Sequence, residues 1–395
     1  MAMIRVPGFR FAGVACGIKK SKKKDLALIV CERPATAAAI FTTNRFKAAP
    51  VLLGMKRMKQ GKIQAAVVNS GNANACTGAR GMRDAEATCR EAGRLLGIDP
   101  ELVFPSSTGI IGVPLPMENL RDGVRKAVEN LAPDNFIQAA EATQTTDKFT
   151  KVASAIFRVH GKKMTVAGMA KGAGMIAPNM ATMLAYLLTD AAVAPRLLRA
   201  ALKRTAGKTF NCTTVDGDTS TNDTALLLAS GVAENPPIQA GSRQAASFER
   251  ALFKVMKKLA IKLVEDGEGA TKVAEIQVEG AKSSAEAKKV AFAVANSQLV
   301  KTAFYGSDPN FGRILAAVGY SGVPINPEKV TLAFDDVLVA RGGVGLRSKE
   351  REAAKVLARR SFTVKIHLGQ GTESASVWTS DLSHDYVRIN SAYRT

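Results

Sequence analysis

The chain has little of what marks several large classes of protein. Tryptophan occurs once in 395 residues. Histidine occurs three times, as His160, His367 and His384, too scattered to suggest a metal cluster. The five cysteines (Cys16, Cys31, Cys76, Cys89, Cys212) are odd in number and include no C-x-x-C pair. Such spacing offers neither a disulfide framework nor a zinc site, so no metal is expected. No apolar run reaches the ~20 residues that cross a bilayer. Lys19, Lys20, Lys22, Lys23 and Lys24 interrupt the region where a secretory leader would be apolar. There is no G-x-G-x-x-G fingerprint, P-loop or internal repeat. The expectation is a cytoplasmic protein with no membrane partner. Acidic residues are also short, at 34 against 55 Lys and Arg, a net charge of +21. A surface of that sign binds nucleic acid or concentrates anionic metabolites. The lysine cluster has no interleaved aromatics, and no zinc finger or RNP-like motif accompanies it, so it reads as a solvated loop and no nucleic-acid partner is expected.

What remains is ordinary globular composition, 46% hydrophobic and 23% charged, in a chain long enough for two domains with a large core. Apolar runs at 25–31, 37–41, 64–68, 102–104, 153–159, 163–169, 183–189, 273–281, 330–340 and 362–368 read as strands. Helical periodicity covers 84–96, 118–131, 195–206, 246–266, 285–297 and 348–360, with Pro195 as a start signal and Gly97 as a stop. Residues 306–313 read as a turn entering a helix. This alternation predicts an α/β fold, with a domain boundary placed at 193/194.

One stretch organises the rest: MAKGAGMIAPNMATMLAYLLTD, residues 169–190. Its first half is a loop punctuated by two glycines and a proline. Thr182 stands between that loop and an apolar run suited to a buried strand. Such a threonine either packs at the strand start or acts as a nucleophile, above all if cleavage of the preceding bond frees its amine. Three further polar loops stand out. Residues 105–112 (PSSTGIIG) carry small residues able to aim N–H groups and a hydroxyl at an oxyanion. Residues 210–224 (FNCTTVDGDTSTNDT) hold Asp216, Asp218 and Asp223 but lack the calcium-loop spacing, and read as a hydrogen-bonding loop. Residues 265–272 (EDGEGATK) hold Glu268 between two glycines, fit either for an ammonium or for a solvated turn. Ser383-His384-Asp385 sets triad residue types side by side, but triads converge in space and not in sequence.

KGAGMIAPNMATMLAYLLTDA resembles the signature of the ornithine acetyltransferase / glutamate N-acetyltransferase family of arginine biosynthesis. The resemblance runs from FRFAGVACGIK to the final threonine. It implies a layered α/β sandwich assembled from two chains produced by self-cleavage of the Ala181–Thr182 bond, residues 1–181 and 182–395. By the same resemblance Thr182 is the nucleophile, and Thr108 and Gly109 form the oxyanion hole. Thr145, Lys171, Thr182, Glu268, Asn390 and Thr395 bind substrate. No tightly bound cofactor is implied, and acetyl-CoA is a possible co-substrate. The implied partners are N-acetylornithine, glutamate and a second copy, as an α2β2 heterotetramer.

The chemistry follows. A threonine hydroxyl needs a base, and the freed α-amine, with a pKa of about 7.7–8.0, is one. The hydroxyl would take acetyl from N-acetylornithine and pass it to glutamate, a ping-pong scheme. Two other readings stay open on the residues alone: an amidase or aminopeptidase with the same nucleophile, and a basic nucleic-acid-binding protein without chemistry.

Overall fold

Strand periodicity builds the first sheet. β1 (Phe9–Val14) pairs antiparallel with β2 (Leu26–Phe41), which continues into β3 (Lys62–Asn72) on its other side. Along β2, Ala27, Ile29 and Cys31 enter one apolar cluster, while Leu26, Leu28 and Val30 enter another. In β3, Ala66 and Val68 join the first cluster and Ala65 and Val67 the second. Successive side chains of a strand point to opposite faces, so this sheet is buried on both.

Helices supply the cover. α1 (Ala49–Arg57) starts with a proline in its first turn, and α2 (Gly78–Leu96) stops at Gly97 with φ 67°. β4 (Val103–Ile110) is followed by α3 (Met117–Glu129) and α4 (Phe136–Ala142). Leu120, Val124 and Ala127 of α3 face the second cluster, and Phe136, Ala139 and Ala140 of α4 face the first. β5 (Lys151–Val159), β6 (Lys162–Lys171) and β7 (Leu184–Thr189) complete this half of the chain, and α5 (Pro195–Gly207) crosses over. β8 (Thr213–Thr214) belongs elsewhere, but β9 (Thr224–Ala229) returns to the first sheet, parallel to β7 and antiparallel to β2. The strand order is β4-β3-β2-β9-β7-β6-β5, with β1 on β2. α6 (Arg243–Glu265) follows.

The second sheet has the order β13-β12-β11-β14-β10-β15-β8. Its strands are β10 (Val273–Ala281), β11 (Thr331–Phe334), β12 (Val337–Arg341), β13 (Val344–Gly345), β14 (Ser361–His367) and β15 (Glu373–Ser380), with β8. Phe362, Val364 and Ile366 of β14 point inward, onto a cluster shared with Ala287, Val290 and Val294 of α7 (Ser284–Ala295). Around them lie α8 (Gln298–Tyr305), α9 (Phe311–Gly319), α10 (Glu350–Leu357) and the terminal α11 (His384–Ala392).

This computed structural model describes residues 3–177 and 183–392; Ala181, Thr182 and Thr395 of the sequence-derived site lie outside the described residues. The α/β expectation holds. The chain does not divide at 193/194. One compact unit comprises Met1–Asn211 with Asp218–Leu263, the other Cys212–Gly217 with Val264–Arg394. The reason is β9, whose pairing with β7 and β2 draws residues 218–263 back to the first sheet. The expected strand at 330–340 is two strands, β11 and β12, joined through Asp335 at φ 49°. Among the described residues no helix is long and apolar enough to cross a membrane.

Candidate functional site

In the first unit the site begins at the ends of β3 and β4. The sequence reads residues 105–112 as a loop; the structure extends β4 through Ile110, with Gly71 of β3 opposite Gly109. Gly109 has φ +131°, and a Cβ there would fall 2.3 Å from the Gly71 carbonyl carbon and 2.5 Å from the Asn72 nitrogen. Only glycine fits so close a backbone approach.

Amide side chains fix this region. Asn69 donates to the Asn72 carbonyl (2.8 Å) and accepts from the Ser107 hydroxyl (2.6 Å). Asn72 donates to the Val113 and Pro114 carbonyls, each at 3.1 Å. Asn222, from the polar loop before β9, donates to the Ala73 (2.7 Å) and Ser107 (2.8 Å) carbonyls. A buried amide with its donors satisfied holds one geometry, because losing a partner there costs about 1–3 kcal/mol.

Lys171, the last residue of β6, is 4% exposed and its ammonium donates to the Thr108 hydroxyl at 3.1 Å. Two residues that the sequence assigns to different roles are therefore in contact. A hydroxyl has one donor and two acceptor lone pairs. Accepting from Lys171 leaves the Thr108 O–H available as a donor, and the adjacent cation makes it a stronger one.

Asp147 is the hub beneath this pair. Its Oδ1 accepts from the Lys151 ammonium (2.6 Å) and the Gly172 N–H (2.8 Å), and its Oδ2 from the Thr145 N–H (2.8 Å). The side chains of Asp147 and Lys151 are wholly buried. Burial alone would raise the Asp147 carboxyl; the charges of Lys151 and Lys171, with these hydrogen bonds, outweigh it and hold the group well below the usual carboxylate range. Thr145 and the backbone after Lys171 are thus tied to one anion. Sequence reasoning placed Thr145 and Lys171 but missed Asp147; the signal was an opposite charge four residues on, at Lys151, in QTTDKFTK.

Asp223 was also missed as an individual. It is 1% exposed and accepts from the Met183 N–H at 3.1 Å, while its Oδ2 has no hydrogen-bond partner among the described residues. Burial pushes its carboxyl well above the usual range, against the pull of the Met183 N–H, the Lys171 charge and the hydroxyls of Thr42 and Ser220.

The second unit holds Glu268 and Asn390. Glu268 is 7% exposed, and its Oε2 accepts from the Asn390 amide at 2.9 Å. Gly269 sits at φ +70°, where a Cβ would come within 2.4 Å of the Tyr386 nitrogen. Glycine there lets α11 lie close enough for Asn390 to reach Glu268. Ser383 donates to the Gly269 carbonyl (2.6 Å), and Asp385 pairs with Arg388 (3.0 Å), so Ser383-His384-Asp385 forms no triad. Among the described residues no group of three or more His, Cys, Asp and Glu is placed to hold a metal ion.

Comparison with known proteins adds independent findings. The model of the ArgJ family matches residues 10–395. The "Arginine biosynthesis bifunctional protein ArgJ" of Geobacter sulfurreducens is 51% identical over 393 residues, covering 99% of this chain and 100% of that one. The protein of the same name from Caldanaerobacter subterraneus subsp. tengcongensis is 49% identical over 392 residues, 98% and 97% of the two chains. The crystal structure of "Arginine biosynthesis bifunctional protein argJ" from Bacillus halodurans superposes with a TM-score of 0.51 at 40% identity, over 53% of this chain and 98% of that one.

Proposed function

The chain belongs to the ArgJ family, and on that premise we propose that it transfers acetyl from N-acetylornithine to glutamate through an acetyl-Thr182 intermediate, in arginine biosynthesis. The observation that carries the reading is the Lys171–Thr108 hydrogen bond beside Gly109. It is a donor group backed by a cation, next to a backbone that only glycine permits, which is what a developing oxyanion needs.

The proposed sequence starts with self-cleavage. The Thr182 hydroxyl attacks the Ala181 carbonyl, the C–N bond breaks, the hydroxyl proton passes to the amine, and water hydrolyses the ester. The length of the Bacillus halodurans chain supports this: its match covers 53% of 395, about 209 residues, close to the span 182–395. The amine then serves as base while Thr182 takes acetyl and releases ornithine; glutamate attacks the ester and leaves as N-acetylglutamate. Thr108 and Gly109 stabilise both tetrahedral intermediates. Thr145 and Lys171 receive the α-carboxylate end of the substrate. By the family resemblance Glu268, Asn390 and Thr395 are assigned to the side-chain end. Glu268 suits the ammonium of ornithine. The Asn390 amide donates to Glu268 Oε2 (2.9 Å) and to the Tyr386 carbonyl (3.0 Å), so receiving the carboxylate of glutamate requires it to release one of these. Acetyl-CoA is proposed as a second donor, and the cleaved protein as an α2β2 assembly.

Intact mass under denaturing conditions tests the reading. Two fragments meeting at 181/182, absent from Thr182→Ala, are expected. Acid quenching after incubation with N-acetylornithine should leave one acetyl group on the 182–395 fragment. A single uncut chain in the wild type, or acetate release with no transfer to glutamate, overturns it.

A further inference from the structure

The lysine turn between β1 and β2 is built, not merely solvated. Asp25, wholly buried, accepts the N–H groups of Cys16 (2.7 Å), Ile18 (2.7 Å) and Lys19 (2.9 Å), while its own carbonyl accepts from Ser70 (2.8 Å). The Lys22 N–H closes the turn onto the Lys19 carbonyl at 3.2 Å, with Lys22 at φ 57°. The turn is therefore pinned to β3 at the residue before Gly71. A Cβ at Gly71 would meet the Lys19 Cγ at 3.0 Å and the Ile18 Cγ2 at 3.1 Å. Gly71 is in turn the register partner of Gly109. The lysines stand one strand away from the proposed oxyanion site.

Their charges are largely uncompensated. Lys24 pairs with Glu141 at 2.7 Å, and the Lys19 ammonium donates to the Lys24 carbonyl at 2.8 Å. Lys20, Lys22 and Lys23 are exposed, and their side chains make no ion pair or hydrogen bond among the described residues. Lys19 itself is half-buried. Burial pulls its ammonium down to about 8; Asp25 and Asp147 oppose this, and Lys171 and Lys23 assist it. It thus feels both Asp147 and Lys171, the residues around Thr108. Some cations elsewhere stand beside carboxylates, as in Arg94–Glu91, Arg204–Glu249 and Lys365–Asp336.

We propose that this turn is the docking site for the phosphate groups of acetyl-CoA, with Lys20, Lys22 and Lys23 as the contacting cations. The proposal rests on the acetyl-donor reading above. Distance favours it. Adjacent strands lie ~4.8 Å apart and a closed turn spans under ~7 Å. With the lysine stems added, the free ammonium groups fall on the order of 10–20 Å from Gly109. A thioester at Thr182 has its diphosphate and ribose phosphate at the far end of a long pantetheine arm, so cations at the oxyanion site itself would miss them. N-acetylornithine carries no phosphate and needs no such turn. A phosphate-bearing occupant of this turn would be a donor larger than N-acetylornithine.

The test is steady-state kinetics of the purified, cleaved enzyme with glutamate as acceptor and each donor in turn, for wild type and for K20Q/K22Q/K23Q. The KM for acetyl-CoA should rise roughly tenfold or more, with kcat and the KM for N-acetylornithine unchanged. Adenosine 3′,5′-bisphosphate should compete with acetyl-CoA in the wild type and lose that inhibition in the variant. Acetyl-pantetheine, which lacks the phosphates, should be used equally by both. An unchanged KM for acetyl-CoA, or an equal loss with both donors, overturns the assignment. If the wild type uses N-acetylornithine but not acetyl-CoA, the assignment falls and the N-acetylornithine reaction stands. If neither donor is used, the acetyltransferase reading itself falls. Should the triple variant fail to fold, the wild type decides: added KCl should raise the KM for acetyl-CoA and not that for acetyl-pantetheine, and parallel responses would overturn the assignment.

Discussion

Asp147 and Asp223 are both deeply buried, yet their carboxyls move in opposite directions. Asp147 is surrounded by cations and N–H groups, so its folded pKa lies below the unfolded value of about 3.9. Its stabilisation is fully present above that value and is lost as pH falls through the acid range, because the unfolded chain takes up the proton first. Lys151→Met strands the anion and should cost about 3–5 kcal/mol at neutral pH, read as a lower urea midpoint. Asp223 has the reverse sign. Its folded pKa lies above the unfolded value, so it opposes folding increasingly as pH rises past about 4. Asp223→Asn should therefore gain stability relative to wild type as pH is raised from 4 to 7; a constant gap would show that Asp223 is ionised in the fold. Thr108→Val keeps the shape of the strand and removes the donor. A fall in kcat of about 10²–10³ is expected, with a lower melting temperature as well, because the buried Lys171 ammonium loses an acceptor.

At the scale of elements, Gly269 decides where α11 lies. A methyl group there meets the Tyr386 nitrogen at 2.4 Å at a φ of +70°. Gly269→Ala should release α11 and with it the Asn390–Glu268 bond, read as faster proteolytic trimming of the C-terminus. How legible an element was depended on how much of it is buried. The run 273–281 was read with the bounds it has, because alternate residues of β10 are buried against α7 and the pattern records that. α11 has no buried residue, so no apolar stripe announced it, and no element is read there from the sequence. β15 is exposed at its first two residues and half-buried at the next two, and its ESAS start carries no strand period. β9 was missed for another reason. Its TALLLA is buried on both faces and follows a long polar loop, and a short apolar run alone does not say which sheet it joins. The site was legible as separate motifs. Thr108 and Lys171 both stood out, but nothing in a residue pattern joins positions 63 apart, and the anion that ties Thr145 to Gly172 lay unremarked among hydroxyl residues.

For the whole molecule, the feature that matters most is the place of two strands. β9 and β7 lie side by side in the first sheet, with β2 on one flank and β6 on the other. A break between β6 and β7 would give β1 to β6 to one polypeptide and β7 and β9 to the other. The first product alone would be a sheet in two pieces with a gap two strands wide, and the second would be the missing plank. Such halves are dovetailed rather than docked. Dilution should never part them, size exclusion should return them together at any concentration, and only denaturant should separate them, in one transition shared by both. Expressed apart, neither half should be soluble. Maturation of this kind severs the chain and leaves the folded object without a seam at which it can come undone.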